Sequence, residues 1–393
     1  MSFMKRTFTL ILLAAMGLTN TFAQSGYTEN GYYRVSNAGS NRYIYVTDNK
    51  DYSDKSHDRA DFQAIQLWKD INRTISDPAS VIYIQKVGNA FDLKAQGTGV
   101  HDLTGYYVDI KKQRNGTYTF SVTSSGVTKY LADKRTSSKA DGLIGVSQDD
   151  DAYRTWVIDK METNHATNYF GVKPTIELNG IYYQPFFASF PFRPVSSDMN
   201  IYYIDKIEGN NAIWKKIEGD VPGGTPVIIE CTSTDPSQNR LELLTSTTAK
   251  VTDNKLSGNY FCNGDRPEDS KEAFIKFDAA TMRVFSVVEG KLVLTNDAPE
   301  RLNEIETYDW DEDEDIYIKC LYANTSYLKV DAQTPEKLFV VFEGSGINDI
   351  KRKSNEATEG VYSISGTQLR ATNDTQDLPA GLYIVGGKKV AIK

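Results

Sequence analysis

The chain has 393 residues, enough for two or three domains with separate cores. Its 24 Tyr and 17 Phe against 6 Met favour strands over helices. The net charge of −8 argues against a general nucleic-acid binder, whose surface would carry a basic patch.

The first residues have the pattern of a secretory signal peptide. Lys5 and Arg6 form a positively charged start, an apolar run covers 8–18, and residues 21–23 read Thr-Phe-Ala, with small residues at the −3 and −1 positions of a cleavage site. The apolar run is well short of the ~18–20 residues that a helix needs to cross a bilayer. We therefore predict a signal peptide over 1–23, export of the chain and no transmembrane span.

Short alternating strands recur three times within residues 24–165. Each occurrence holds two strands around a turn of Gly, Asn or Ser, at 33–46, 82–94 and 118–133. Threefold repetition of short strands is typical of a closed barrel capped by hairpins, in which each unit buries its apolar residues against the other two.

This region resembles the ricin-type β-trefoil. Gln66-Leu67-Trp68 reproduces the Gln-x-Trp motif that closes a repeat in that family. Arg154-Thr155-Trp156 lies in the equivalent place of the third unit, with Arg instead of Gln, and the second unit lacks the closing Trp. The resemblance implies a β-trefoil-like domain over 24–165 and a carbohydrate as ligand.

The same resemblance implies where a sugar would bind. The family pattern has an Asp after the second strand of a unit and an aromatic residue about fifteen positions later, so that the carboxylate accepts sugar hydroxyls and the ring covers the C–H surface. Only the second unit supplies both, as Asp92 and as Tyr106 and Tyr107, since Asp133 in the third unit has no aromatic residue at that distance. The alternative is that Asp92 stabilises a turn and the tyrosines belong to the core.

Residues 166–345 have the pattern of a β-sandwich. A dense aromatic run at 180–192 is broken by Pro185 and Pro191, and short strands follow between turns of Gly, Asn, Asp and Pro. The order of these features resembles an antiparallel β-sandwich module of exported proteins from bacteria that use type IX secretion. No catalytic residue is associated with that module.

The end of the chain forms short strands after a predicted linker at 346–356. Leu382 and Ile384 alternate with other residues before a Gly-Gly turn, and Val390 and Ile392 do so after it. Residues 357–393 resemble the C-terminal sorting domain of type IX secretion substrates. The resemblance implies contact with the export machinery and a final location outside the cell or on its outer surface, reached through the periplasm. Whether the segment is cleaved or retained stays open, and a closing hairpin without an export role is the alternative.

No catalytic or metal-binding pattern is present in the sequence. The three histidines belong to no His-Glu-x-x-His motif, and no Gly-x-Ser-x-Gly motif occurs. The acidic run at 309–315 departs from an EF-hand loop, because Glu314 occupies the position that needs Gly. Cys231, Cys262 and Cys320 match no zinc motif, and both one disulfide and buried thiols remain open. We therefore predict no catalytic residue, no metal and no cofactor.

These patterns together indicate an all-β protein that is secreted or attached to the cell surface. We interpret it as non-catalytic, with a role in glycan binding or adhesion. One alternative is a protein-interaction or spacer protein whose trefoil-like domain has lost sugar binding and whose partner is a surface protein. A second alternative is a polysaccharide or peptide hydrolase, because paired carboxylates converge only in the folded chain.

Overall fold

The structure is a computed structural model, and it describes residues 30–46, 65–68, 74–96, 101–102, 107–133, 144–147, 152–260, 275–309, 314–342, 360–363, 368–386 and 388–392. The predicted signal peptide, the predicted linker, Tyr106 and Cys262 lie outside these residues. Three short 3₁₀ helices occur, at Pro78–Ser80, Ala152–Arg154 and Pro299–Arg301. Within the described ranges, no helix has the length and apolar character needed to cross a membrane.

The N-terminal part is a sheet of eleven strands. They are β1 (Gly31–Asn37), β2 (Tyr43–Val46), β3 (Ile65–Trp68), β4 (Ile82–Val87), β5 (Ala90–Ala95), β6 (His101–Asp102), β7 (Asp109–Lys112), β8 (Tyr118–Ser124), β9 (Val127–Asp133), β10 (Ile144–Ser147) and β11 (Trp156–Lys160).

Six of these strands close into a ring. The antiparallel order is β1, β4, β5, β7, β8 and β11, and β11 pairs again with β1. The link from β5 to β7 is an antiparallel bridge between Phe91 and Val108, the residue before β7. Two strand pairs leave this closed order, β2 with β3 and β9 with β10, and β6 pairs with the end of β5. From here on, the name ring stands for the whole body formed by β1–β11.

The ring encloses one apolar core. Alternate residues of its strands point inward, as expected from the period of two in a strand. The buried residues include Val35, Ile84, Leu93, Ile110, Phe120 and Trp156. The turns between β4 and β5 and between β8 and β9 contain Gly88 and Gly126 at φ of 61° and 79°, a conformation that glycine adopts without strain.

The middle of the chain contains fifteen described strands. They are β12 (Phe170–Gly171), β13 (Ile176–Leu178), β14 (Ile181–Phe186), β15 (Phe192–Pro194), β16 (Asn200–Glu208), β17 (Asn211–Lys216), β18 (Val227–Cys231), β19 (Arg240–Leu243), β20 (Leu256–Asn259), β21 (Met282–Val288), β22 (Lys291–Thr295), β23 (Leu302–Asp309), β24 (Glu314–Leu321), β25 (Thr325–Lys329) and β26 (Lys337–Phe342).

Ten of these strands form a sandwich-like body, in the order β13-β14-β18-β16-β17-β26-β22-β21-β25-β20. The sheet folds over, so that β13 and β14 at one end lie near β21 and β25 at the other. It encloses a second core that contains Tyr183, Trp214, Phe285 and Leu328. The remaining strands form a three-stranded sheet, β12-β19-β15, and a two-stranded ribbon, β23-β24. From here on, the name sandwich stands for all fifteen strands, β12–β26.

The prediction of an all-β fold is confirmed. The sandwich contains one parallel pair: β17 and β26 run in the same direction, with Asn211 opposite Phe339 and Trp214 opposite Phe342. This pairing joins two segments that are far apart in the chain, and alternation of apolar residues does not distinguish parallel from antiparallel neighbours.

The described C-terminal residues form a separate sheet of four strands. Its order is β28-β27-β29-β30, with β27 at Val361–Ser363, β28 at Gln368–Arg370, β29 at Gly381–Val385 and β30 at Lys388–Ile392. The sequence pattern predicted this β29–β30 hairpin, and Gly386 after β29 has a positive φ of 56°.

The sandwich covers part of the outer face of the ring. Tyr32 of β1 and Tyr83 of β4 point outward from the ring, and their aromatic rings are in tilted contact with centroids 4.9 Å apart. Tyr32 meets Phe190 of the aromatic run edge-on at 6.1 Å. All three side chains are buried in one cluster with Phe186 and Leu241. The two bodies therefore share an apolar interface.

Candidate functional site

Asp92 lies in the middle of β5, opposite Gln85 of β4. Its neighbours Phe91 and Leu93 point into the core of the ring, so the side chain of Asp92 points outward. The sequence folds this way because Phe, Leu and Ala occupy the inward positions of β5 and charged residues occupy the outward ones. Asp92 as a whole is nevertheless only 5% exposed.

Tyr107 lies beside Asp92 across the next strand pair. The bridge between Phe91 and Val108 has two backbone hydrogen bonds of 2.8 Å. If the antiparallel register of this single bridge is extended by one residue, Tyr107 faces Asp92 on the side of β5 that points away from the core. Tyr107 is 58% exposed. Tyr106, the third predicted site residue, lies outside the described part of the chain.

Lys94 shares the outer face of β5 with Asp92. Its Nζ lies 3.3 Å from Oδ2 of Asp92, and both side chains are mostly buried. Lys94 stands opposite Tyr83, whose pKa is raised by burial and lowered to a smaller extent by the ammonium of Lys94. Lys94 was not among the residues predicted from the sequence. Its position two residues after Asp92 in a strand was the available signal, because residues two apart lie on the same face and can form an ion pair.

The candidate site lies at the edge of the outer face of the ring, around Asp92 and Tyr107, and we call this edge the rim. On one side, the outer face of the ring runs under the sandwich at Tyr83, which is buried. On the other side it opens to solvent at Tyr107. Asp92 lies between the two, with its charge held by Lys94. Such an arrangement can accept hydrogen bonds from hydroxyl groups and offer an exposed aromatic ring.

Asp133, the acid in the equivalent place of the third unit, is paired with an arginine inside the fold. Arg42 forms a buried ion pair with Asp133, in which Nε lies 2.9 Å from Oδ2 and Nη2 contacts Oδ1. This bidentate pair fixes the Asp133 carboxylate inside the fold. The ring thus presents Asp92 and not Asp133 toward the rim.

The motif tryptophan of the third unit is a core residue. Trp156 is fully buried and donates from Nε1 to the carbonyl of Leu131 at 2.9 Å. Arg154, which replaces the Gln of the motif, stacks on Tyr130 at 4.3 Å. In the first unit, the backbone of Gln66-Leu67-Trp68 forms β3 and pairs with β2.

The cysteines and the acidic run that the sequence singled out do not come together into a reactive or metal-binding cluster within the described residues. Cys231 and Cys320 are buried, and burial raises the pKa of the Cys231 thiol to about 12. The acidic run at 309–315 includes the ends of β23 and β24, which pair as a ribbon. No group of three or more His, Cys, Asp or Glu with the geometry for a metal ion occurs in the described ranges.

Comparison with known proteins adds no family. No family model matches the chain, and no curated protein matches it. One solved structure, described as "Structure and mode of action of a mosquitocidal holotoxin", is similar over 77% of this chain with 14% identity and a TM-score of 0.27. The similarity covers 34% of that longer chain. Similarity at this level says nothing about fold or function.

Proposed function

We propose that the protein is a non-catalytic, exported glycan-binding protein whose ring holds a carbohydrate at the Asp92–Tyr107 rim. One observation supports the proposal: the Phe91–Val108 bridge joins the residue before Asp92 to the residue after Tyr107, and Tyr107 is exposed. The closed order of six strands, with the pairs β2–β3 and β9–β10 and the strand β6 outside it, supports the trefoil-like interpretation from which the site was predicted.

The chemistry of recognition follows from these two groups. A carboxylate accepts hydrogen bonds from two adjacent sugar hydroxyls, and charge-assisted bonds of this kind are about twice as strong as neutral ones. The ion pair with Lys94 at 3.3 Å orients the carboxylate. Tyr107 offers the apolar face that the C–H side of a pyranose covers.

A glycan array with the full chain from residue 24 tests the proposal. The full chain is required because the sandwich covers part of the outer face of the ring. We expect at least one carbohydrate to bind, and we expect the signal to be lost in Asp92→Asn and in Tyr107→Ala. Asp198→Asn, an exposed acid before β16, is the matched control and should bind as the wild type does. Absence of any carbohydrate ligand would contradict the proposal.

The competing function is a protein-interaction or spacer role. The low exposure of Asp92, 5%, and its contact with Lys94 favour this role, because they are also what a purely structural ion pair would show. In that case Asp92→Asn lowers the stability of the ring and no glycan binds. Co-purification of the chain with an outer-membrane protein would then identify the partner.

Export and surface location belong to the same proposal. The support is the signal-peptide pattern at 1–23 and the resemblance of residues 357–393 to a sorting domain. Cell fractionation of the full chain and of a chain without residues 347–393 tests it. The full chain should reach the medium or the outer surface, and the shortened chain should remain in the periplasm. Equal distribution of the two would show that the segment has no export role.

A further inference from the structure

A polar cavity lies on the ring away from the Asp92–Tyr107 rim, where the chain leaves the ring for the sandwich. Its volume is about 280 Å³, slightly below the ~300–1,000 Å³ usual for small-molecule sites. The lining side chains come from β2, from the end of β11 and from the segment after it. They are Tyr43, Asp159, Lys160, Glu162, His165 and Thr167, above a floor formed by Asn168.

The floor of this cavity is held by a buried network. The amide nitrogen of Asn168 donates to the carbonyls of Asp159 and Lys160 at 3.0 and 2.7 Å. Its amide oxygen accepts from Nη1 of Arg34 at 2.9 Å. Arg34 is 1% exposed, and its other bonds go to neutral oxygens of Ser80 and of the backbone. Arg34 therefore supports the floor and donates to no carboxylate among the described residues.

The wall that carries His165 is fixed in two ways. Nδ1 of His165 accepts from the backbone N–H of Thr167 at 3.1 Å and of Asn168 at 2.8 Å. Behind it, Nη1 of Arg240 donates to the carbonyls of Thr163 and His165 at 2.7 and 3.0 Å. With Nδ1 acting as an acceptor, the neutral imidazole carries its proton on Nε2. The wall is thus pre-formed.

The two carboxylates of the cavity, Asp159 and Glu162, are exposed to solvent. Within the described ranges, the side chains of Asp159 and Glu162 have no ion pair and no hydrogen bond, unlike the paired Asp92 and Asp133. The pKa of Asp159 is raised by partial burial, against a smaller lowering by His165. Among the lining side chains, two carboxylates stand against the single ammonium of Lys160. A ligand that brings one positive charge balances this set.

We propose that this cavity binds a small ligand through a protonated primary amine, with Asp159 and Glu162 accepting the ammonium and Tyr43 contacting the adjoining carbon atoms. The volume admits one pyranose-sized ring or one short alkyl chain. The amine can therefore belong to an amino sugar or to a lysine side chain of a peptide, and the recognition chemistry is the same for both. This site is separate from the proposed glycan site.

Isothermal titration of the full chain from residue 24 tests the proposal with four probes: glucosamine, N-acetylglucosamine, Nα-acetyl-lysine amide and its Nε-acetylated form. We expect at least one free amine to bind and its acetylated form to bind at least tenfold more weakly, since acetylation removes the charge. Preference for glucosamine identifies an amino sugar, and preference for the lysine amide identifies a peptide. Equal binding of free and acetylated forms, or no binding by any probe, would overturn the proposal.

Variants place the effect in the cavity. Asp159→Asn should weaken amine binding about tenfold or more, because a hydrogen bond to a charged group is lost. Lys160→Met should strengthen it by removing a like charge. Glu289→Gln, in the turn between β21 and β22, is the matched control and should leave it unchanged. The lining of this cavity shares no residue with the proposed glycan site, so failure of the glycan proposal does not affect this result. An Asp159→Asn variant that binds as the wild type does would refute the assigned site.

Discussion

The hydroxyl of Tyr32 donates a hydrogen bond of 2.8 Å to the backbone carbonyl of Leu244, 212 residues further along the chain. Tyr32 belongs to the ring and Leu244 follows β19 of the sandwich. A second polar contact joins the bodies where Oγ of Ser189 donates to the carbonyl of Gln96 at 2.7 Å. With the aromatic cluster around Phe190, these bonds make the interface resemble a domain core more than a transient contact.

We expect the ring and the sandwich to unfold in a single transition. The shared apolar cluster is lost if either body unfolds alone, so separate unfolding exposes buried surface on the other body. Urea unfolding followed by tryptophan fluorescence and by far-UV circular dichroism should give coincident curves. Two resolved transitions would show that the interface contributes little.

Tyr32→Phe should lower the free energy of unfolding by about 1 kcal/mol. The substitution keeps the ring in the cluster and removes one buried hydrogen bond, which is worth about 0.5–1.5 kcal/mol. The urea midpoint of the variant measures this. Tyr317→Phe is a suitable control, since Tyr317 is 62% exposed and its hydroxyl lies at the surface. An unchanged midpoint in Tyr32→Phe would argue against the bond.

Arg34→Met should destabilise the protein by about 3 kcal/mol or more. Arg34 donates to the buried carbonyls of Thr74, Ile75 and Tyr169, and each acceptor left unpaired costs about 1–3 kcal/mol. Arg193→Met is the control: Arg193 is exposed, and its ion pairs with Asp220 and Glu242 at 3.3 and 3.4 Å are worth at most about 1 kcal/mol. Thermal unfolding of both variants should therefore differ clearly, and similar losses would contradict the assignment.

Gly258→Ala should also destabilise the sandwich. A Cβ at this position of β20 would lie 2.2 Å from the ring of Phe187, which is in tilted contact with the ring of Tyr260 at 4.2 Å between centroids. Forcing extra volume into such a contact costs about 1–3 kcal/mol. Ser257→Ala, the neighbouring residue of the same strand, is the control. Chemical unfolding should show a loss for Gly258→Ala alone.

Stability should fall as pH rises above about 9, the ordinary range of a thiol. Burial raises the pKa of Cys231 and of Tyr260 to about 12 and also raises that of Tyr32. Each of these groups ionises at a lower pH in the unfolded chain than in the folded one. Between its unfolded and folded pKa values, the unfolded state therefore binds fewer protons, and the free energy of unfolding falls as the pH rises. Urea midpoints at pH 8 and pH 10.5 measure the fall, and Tyr260→Phe should reduce it. A flat profile would contradict the burial of these groups.

Local signals predicted much of the ring. The hairpins at 82–94 and 118–133 appear as β4–β5 and β8–β9, because alternating residues and a glycine turn act over a few positions. The inward positions of these strands, such as Leu93 and Phe120, form the core that alternation implies.

Long-range contacts were not predictable in the same way. Arg34 occupies an outward position of β1 and looks solvent-exposed in the sequence, yet residues 74–80 and 168–169 close over it. Asp92 likewise occupies an outward position of its strand and is only 5% exposed. The cavity at Tyr43 and Asp159 joins two ends of the ring, and no local pattern marks it. Outward positions in a strand become buried whenever a distant segment folds onto them.

The most direct test of the glycan proposal is the Kd of the best array ligand for the full chain, compared between wild type, Asp92→Asn and Tyr107→Ala by isothermal titration. We predict that each variant binds at least tenfold more weakly while Tyr107→Ala keeps the unfolding temperature of the wild type, because Tyr107 is 58% exposed. Equal Kd values for all three proteins would contradict the assignment of the carbohydrate site to the rim.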